Sequence, residues 1–332
     1  MNQDQIAKAA QVLLKARRER RPLAALPADC AATSAEDGYA VQKAFVAAWG
    51  EPVAGWKSGA TAQPVQERFG LKEPFFGPIF KSTVLASPFT AKATDFEHRK
   101  DAAKPGIALE VEFAFRVGRD LGAKAGGYSE IEVLDAMDAM VPAFEIISPR
   151  YHAIPFGTPG AALADCGVNG GIVLGKPVTA WREIDYPNHK TRHLIDGKVA
   201  AEGTGALVLG HPFKSLLWLV NGVTKRGYTL SKGQILTTGS MSGIVYADQG
   251  TTSVADFGNL LAVFGAQPDD DRVFVARFAE HRGLRAGDVG ADGIGDAGDG
   301  QPQQGGLVTI DADGQLGTAL FALQARVGDA RR

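Results

Sequence analysis

The stretch Ile107-Ala-Leu-Glu-Val-Glu-Phe-Ala-Phe-Arg-Val117 decides the fold of this chain. Leu109, Val111, Phe113, Phe115 and Val117 alternate with the positions between them, which is the period of a β-strand. Glu110 and Glu112 are two residues apart, so both carboxylates project from one face, about 6.6 Å apart along the strand. Two like charges on one face of a core strand must be compensated. A hard divalent cation bound through oxygen compensates both at once. An edge strand with one wet face gives the same alternation with solvated glutamates, so the pattern alone leaves both readings open. A second apolar run, Val141-Pro-Ala-Phe-Glu-Ile-Ile147, contributes a third acid, Glu145.

The bulk properties narrow the class. A chain of 332 residues holds one large domain or two smaller ones. Its 45% hydrophobic and 22% charged residues are an ordinary globular composition. A net charge of −2 gives no electrostatic reason to expect a nucleic acid partner. The basic run Lys15-Ala-Arg-Arg-Glu-Arg-Arg21 follows Ile6, Ala9, Ala10, Leu13 and Leu14 and reads as the solvated end of an amphipathic helix. Cys30 and Cys166 form neither a metal-ligand spacing nor a disulfide framework. No apolar stretch approaches the ~20 residues that span a bilayer, and the polar N-terminus lacks a signal-peptide core. The expected location is a reducing cytoplasm, with no membrane partner.

Along the chain, residues 1–54 read as a helical region. Its second helix starts at Ser34, with Asp37 three positions on as an approximate capping box. From Gly55 short apolar runs punctuated by Gly and Pro indicate a β-rich domain over 55–266. Ser129-Glu-Ile-Glu132 caps a helix expected to run through Met140, with Leu134 and Met137 at helical spacing. A later helix, about 212 to 226, is stopped by Gly227. Residues 267–332 read as a mobile tail: 285–306, dominated by Gly, Asp, Ala and Gln, is too poor in large apolar groups to build a core, while the regions around Val273–Phe278 and Leu307–Val327 add at most marginal structure.

Four further segments can carry chemistry. In Gly55-Trp-Lys-Ser-Gly-Ala-Thr61, Lys57 lies between an aromatic and glycines; a lysine shielded from water near a metal shuttles protons, whereas a surface lysine at a turn is the commoner case. Asp165-Cys-Gly-Val-Asn-Gly-Gly171 either closes a turn or lines a pocket rim. Gln234-Ile-Leu-Thr-Thr-Gly-Ser-Met-Ser-Gly243 reads as a strand entering a Gly/Ser loop, whose N–H groups and hydroxyls suit a carboxylate or an oxyanion. Leu71-Lys-Glu-Pro-Phe-Phe-Gly-Pro78 reads as a rigid pocket-edge loop or a plain connection. The six histidines make no zinc pattern, and no nucleophile elbow, P-loop or Rossmann fingerprint occurs.

Taken in order, Gly55–Thr61, Leu109–Asp120, Pro142–Ile147, 165–175 and 237–243 resemble the fumarylacetoacetate hydrolase superfamily over roughly residues 30 to 260, and within it the 2-keto-4-pentenoate hydratase / 4-oxalocrotonate decarboxylase branch. The resemblance implies an α+β fold: a mixed β-roll with an N-terminal helical region. It implies Mg²⁺ or Mn²⁺ on Glu110, Glu112 and Glu145, a catalytic Lys57, and substrate contacts at Thr61, Asp165, Gly239 and Ser240. It also implies association into a homo-oligomer. One departure stands out: Pro74-Phe-Phe-Gly77 has Phe75 where the hydratases tend to carry an aspartate.

The implied chemistry follows from the cation. A 2-oxo acid chelates it through the keto and one carboxylate oxygen, and the cation stabilises a developing enolate while Lys57 shifts protons. Such a site can add water, release CO₂, cleave a C–C bond or tautomerise. The expected activity is a hydratase-type lyase on 2-hydroxy-dienoates from aromatic ring cleavage, with a decarboxylase, C–C hydrolase or isomerase as the alternative that Phe75 raises. Binding of a 2-oxo acid without turnover is the non-enzymatic alternative; it leaves Lys57 without a role.

Overall fold

The computed structural model describes residues 1–92, 95, 96 and 106–258, together with the backbone of three short strands beyond them. The strands are β1 (Val53–Gly59), β2 (Phe75–Phe80), β3 (Val84–Ala86), β4 (Phe89–Lys92), β5 (Gly106–Val117), β6 (Met137–Ile147), β7 (Asn169–Leu174), β8 (Lys190–Ile195), β9 (Lys198–Thr204), β10 (Ile235–Ser240), β11 (Val245–Asp248), β12 (Thr252–Asp256), β13 (Arg272–Val275), β14 (Leu307–Ile310) and β15 (Leu316–Ala319). The helices are α1 (Gln3–Glu19), α2 (Ala35–Trp49), α3 (Gln63–Phe69), α4 (Glu130–Asp135), α5 (Pro159–Ala164) and α6 (Pro212–Lys225).

The fold is α+β, built on a mixed sheet of order β2-β1-β10-β5-β6-β7-β3, with β11 also pairing β5. β1 runs parallel to β10 and β3 to β7; the other pairs are antiparallel. A second sheet, β4-β13-β12-β8-β9, carries the remaining strands of residues 1–282. Residues 283–332 form a separate compact unit, of which the hairpin β14–β15 is described. The boundary expected at 266 and the expected mobile segment 285–306 lie outside the described residues.

β5 is the centre of the main sheet, and burial on both faces settles how its alternation must be read. Leu109, Val111, Phe113, Phe115 and Val117 are all fully buried, and so is Glu112. The wet-edge reading fails here, because β10 and β11 lie on one side of β5 and β6 on the other.

Local sequence explains most helix ends. Asn2 and Gln5 cap α1 reciprocally at 2.9 Å each, and Ser34 and Ser129 cap α2 and α4. Three expectations are corrected. The helix expected to run to Met140 stops at Asp135, because Met137–Ile147 pairs with β5 over nearly its whole length, and that ladder outweighs the weak preference of one further helical turn. The expected loop at 71–78 becomes strand β2 from Phe75; as the edge of the sheet, β2 tolerates Pro78 opposite Trp56. The basic end of α1 is not wholly solvated, since Arg17 is buried with its guanidinium 5.2 Å from the Trp49 and Phe80 rings. Among the described residues no helix is long and apolar enough to cross a membrane.

Candidate metal centre and active site

The pairing of β5 with β6 puts Glu145 directly opposite Glu110, with Glu112 one pleat further on the same face. One carboxylate oxygen from each of the three lies within 4.8 Å of the others. Glu112 and Glu145 are fully buried, and Glu110 is half-buried, so the cluster has a single partly open side.

Lys57 comes from β1, two strands away across β10, where it pairs with Thr237. It is 2% exposed, and its Nζ makes an ion pair with Glu145 Oε2 at 3.1 Å. The surface-lysine reading is therefore excluded. On its other side, Nζ lies 5.1 Å from the centre of the Phe75 ring. Phe75 packs edge-on against Phe69 at 5.4 Å, so the ammonium sits between a carboxylate and a hydrocarbon wall.

The Gly/Ser segment does something more specific than an exposed loop would. The register of β10 against β5 shifts between Thr237 and Ser240, and in this bulge Gly239 adopts φ +108°, where a side chain would be strained. A Cβ there would also come within 2.2 Å of Thr61 Oγ1. The bulge turns the Gly239 N–H onto Glu112 Oε2 at 2.9 Å, so the carboxylate it meets belongs to the protein. Ser240 pairs with Glu112 in the ladder, and its buried hydroxyl lies beside the Glu110 carboxyl, whose pKa it helps to lower. Thr61 is buried against Gly239, with its carbonyl accepting from Leu209 N–H.

Asp165 is the predicted residue that the fold does not bring into this cluster. It is fully buried beneath Arg150, whose Nε and main-chain N–H both bind its carboxylate. Arg150 also donates to the carbonyl of Asn169 at 2.8 Å, and Asn169 Nδ2 donates to Glu145 Oε1 at 2.9 Å. Asp165 thus acts on the cluster through two intermediaries. Sequence reasoning placed Asn169 at a turn or rim and missed Arg150 altogether. Only the proximity of Asp165 and Asn169 in the chain hinted at the relay.

The electrostatics follow from burial. Glu110 is pushed up to about 7, first by burial and then by the charge of Glu145, with Lys57 pulling the other way. Glu112 is held well above the usual carboxylate range by burial and by both other glutamates. Burial alone would lower Lys57, but the charges of Glu145, Glu110 and Glu112 outweigh it and the net direction is up. A cation that neutralises those carboxylates removes the cause of that rise.

The donor set fits a hard divalent cation. Three carboxylates against one ammonium leave a formal −2 in the interior. The N–H groups of Gly239 and Asn169 and the ammonium of Lys57 serve the three carboxylates, with no second cation beside them among the described residues. All ligand atoms are oxygen, the preference of Mg²⁺, Mn²⁺ and Ca²⁺.

No family model matches the chain. It is 29% identical over 259 residues to 2-oxo-hept-4-ene-1,7-dioate hydratase of Escherichia coli, a match covering 76% of this chain and 93% of that protein. It is 29% identical over 255 residues to 2-keto-4-pentenoate hydratase of Paraburkholderia xenovorans, covering 75% and 90%. Among solved structures, 4-oxalocrotonate decarboxylase from Pseudomonas putida G7, complexed with magnesium and adipate, superposes with a TM-score of 0.67 at 20% identity, over 83% of this chain and 98% of that one. In sequence the chain is thus similar to the 2-keto-4-pentenoate hydratases, and in fold to 4-oxalocrotonate decarboxylase.

Proposed function

We propose that this protein is a divalent-metal-dependent lyase acting on 2-oxo and 2-hydroxy-dienoic acids of the kind released by aromatic ring cleavage, in the manner of a 2-keto-4-pentenoate hydratase. The observation that carries it is the cluster of Glu110, Glu112 and Glu145 closed on one side by the buried Lys57. The hydratase names of the relatives support the reaction class. Glu110, Glu112 and Glu145 hold Mg²⁺, or Mn²⁺ in its place. A cation bound there would supply Lewis acidity toward the oxygens of a 2-oxo acid.

The chain's own residues do the rest. Lys57 Nζ gives and takes the proton at the substrate carbon, and the Phe75 ring keeps bulk water off that ammonium. Gly239 N–H fixes the Glu112 carboxylate, and Asn169 fixes that of Glu145. The Ser240 hydroxyl, with Gly239 and the Thr61 packed against it, meets the substrate carboxylate. Asp165 supports this set through Arg150. The enzyme works as a cytoplasmic homo-oligomer.

Phe75 favours a second reading, a decarboxylase, C–C hydrolase or isomerase, because a ring beside Lys57 cannot activate water. The two are separated by product analysis after incubation with 2-hydroxypenta-2,4-dienoate, 4-oxalocrotonate and an acylpyruvate, with and without Mg²⁺. The proposal expects Mg²⁺-dependent addition of water to the dienoate. Loss of CO₂ or C–C cleavage as the dominant outcome favours the second reading, and no metal-dependent turnover of any substrate contradicts both.

A further inference from the structure

Lys57 and Phe75 meet between two glycines. Gly59 lies two residues beyond Lys57 on β1, on the same face, and stands opposite Phe75 in the ladder with β2. A Cβ on Gly59 would come within 2.4 Å of Phe75 Cζ and 3.1 Å of Lys57 Nζ. Gly167 approaches from another element: a Cβ there would come within 2.9 Å of Phe75 Cε2 and 3.4 Å of Lys57 Cδ. The ring therefore fills space that two further side chains would need.

A strained turn holds Gly167 in place. Cys166, Gly167 and Val168 take φ +54°, +65° and +57° in succession, and a β-branched valine rarely enters that region. Such a turn persists only where its surroundings over-determine it. Arg150 binds both of its ends, the Asp165 carboxylate through its main-chain N–H at 2.8 Å and the Asn169 carbonyl through Nη1 at 2.8 Å. Val168 N–H donates to the Asp165 carbonyl at 2.9 Å, and Ser148 N–H to the Val168 carbonyl at 2.9 Å. Strand β2 packs directly on the turn, since a Cβ on Gly77 would come within 2.1 Å of the Cys166 carbonyl oxygen.

A lysine stem is flexible, so an ammonium that must reach one atom needs walls. Here the stem lies against Gly167 and the tip against Gly59, with the Phe75 ring touching both glycines. Lys57 and Phe75 are both buried, and Phe69 packs edge-on against the ring at 5.4 Å, so the ring has little room to retreat. One added methyl group at either glycine must move the ring, the lysine or both, and with them the 3.1 Å contact of Nζ with Glu145 Oε2.

We propose that Gly59 and Gly167 are positioning residues: by admitting the Phe75 ring between them they form a slot that fixes Lys57 Nζ on Glu145, at the place from which it serves the substrate carbon. This rests on the role proposed above for Lys57.

Two readouts separate the slot from the reaction. The first needs neither metal nor substrate: in metal-free protein labelled with ¹⁵N-lysine, the buried Lys57 ammonium gives a resonance identified by its loss in Lys57→Ala. Gly59→Ala and Gly167→Ala should each shift that resonance or broaden it away. Gly50→Ala introduces left-handed strain like that of Gly167→Ala, at φ +79° with nothing within 4 Å of the new Cβ, and should leave the resonance in place. The second readout is turnover of 2-hydroxypenta-2,4-dienoate with Mg²⁺, in which both slot variants should lose about 10–100-fold in kcat with KM and Mn²⁺ affinity unchanged. Phe75→Leu removes the ring atoms that the new methyl groups strike, so Gly59→Ala should cost far less in that background than alone. Should Gly59→Ala fail to fold by itself, Gly167→Ala and the Gly59→Ala/Phe75→Leu protein carry the test. The proposal is overturned by an unmoved resonance in the slot variants, by Gly50→Ala reproducing their effects, by a loss in KM rather than kcat, or by Gly59→Ala costing as much beside Phe75→Leu as alone. A native chain that gives the expected resonances but no metal-dependent turnover would sink the proposed reaction and leave the slot standing.

Discussion

Two groups of buried acids lie close together in this protein, and they are neutralised in opposite ways. Asp165 is fully buried with Arg150, itself 1% exposed, and the pair is closed: the guanidinium and main chain of Arg150 satisfy the carboxylate, and the remaining guanidinium N–H groups reach the carbonyls of Asn169 and Asp165. Glu110, Glu112 and Glu145 share a single ammonium, that of Lys57, which lies 3.1 Å from Glu145 Oε2. A buried charge with its own counter-ion is architecture. Buried charge left in surplus, with one side partly open, suits a cation. Burial alone does not separate the two, since it raises Asp165 to about 6 and Glu110 to about 7. The difference lies in which acids have somewhere to place their charge.

That contrast can be broken by mutation. The largest expected effect is on Glu145→Gln, which should abolish Mg²⁺-dependent turnover, as steady-state rates would show; in the metal-free protein the relief of like-charge repulsion is offset by the loss of the Lys57 partner. Lys57→Ala should lower kcat by about 10²–10⁴ while metal binding persists, as expected for a lost acid–base group. Asp165→Asn should behave in the reverse manner, costing about 3–5 kcal/mol of stability because Arg150 is left buried without its partner. Asn169→Ala should sit between the clusters, weakening metal affinity by about 10–100-fold with the fold intact.

The smallest effect is the pH dependence. Glu110 has a folded value near 7 against an ordinary 4.5, so its protonated form is favoured by folding. Its contribution is fully present below about 4.5 and is lost as pH rises through about 7. The metal-free protein should therefore melt lower as pH climbs across that window, and saturating Mg²⁺ should flatten the slope. A metal-free melting temperature that rises across the window would contradict this electrostatic picture.

What the sequence showed depended on the range of the interaction. The alternation in β5 and the caps at Ser34 and Ser129 are local, and each is found where its pattern predicts. The union of Glu110, Glu112 and Glu145 was legible because two of them share a strand and the third lies on the strand that pairs with it. Interactions set by distant packing were not legible. Phe75 looked like part of a loop because Pro74 and Pro78 flank it, and only the sheet edge made a strand there possible. Arg150 lies in an undistinguished Pro-Arg-Tyr run, and its partner Asp165 lies fifteen residues away across a helix. The role of Gly239 as a donor to Glu112 depends on a bulge that no residue pattern specifies.

The central claim, that three buried carboxylates with one ammonium among them gather one hard cation, is tested most directly by calorimetric titration of the metal-stripped protein with Mn²⁺. The account predicts one ion per chain, bound with proton release near pH 7 and displaced by Mg²⁺, and no binding in the Glu145→Gln variant. Failure of the native chain to take up Mn²⁺, or equal uptake by Glu145→Gln, would contradict it.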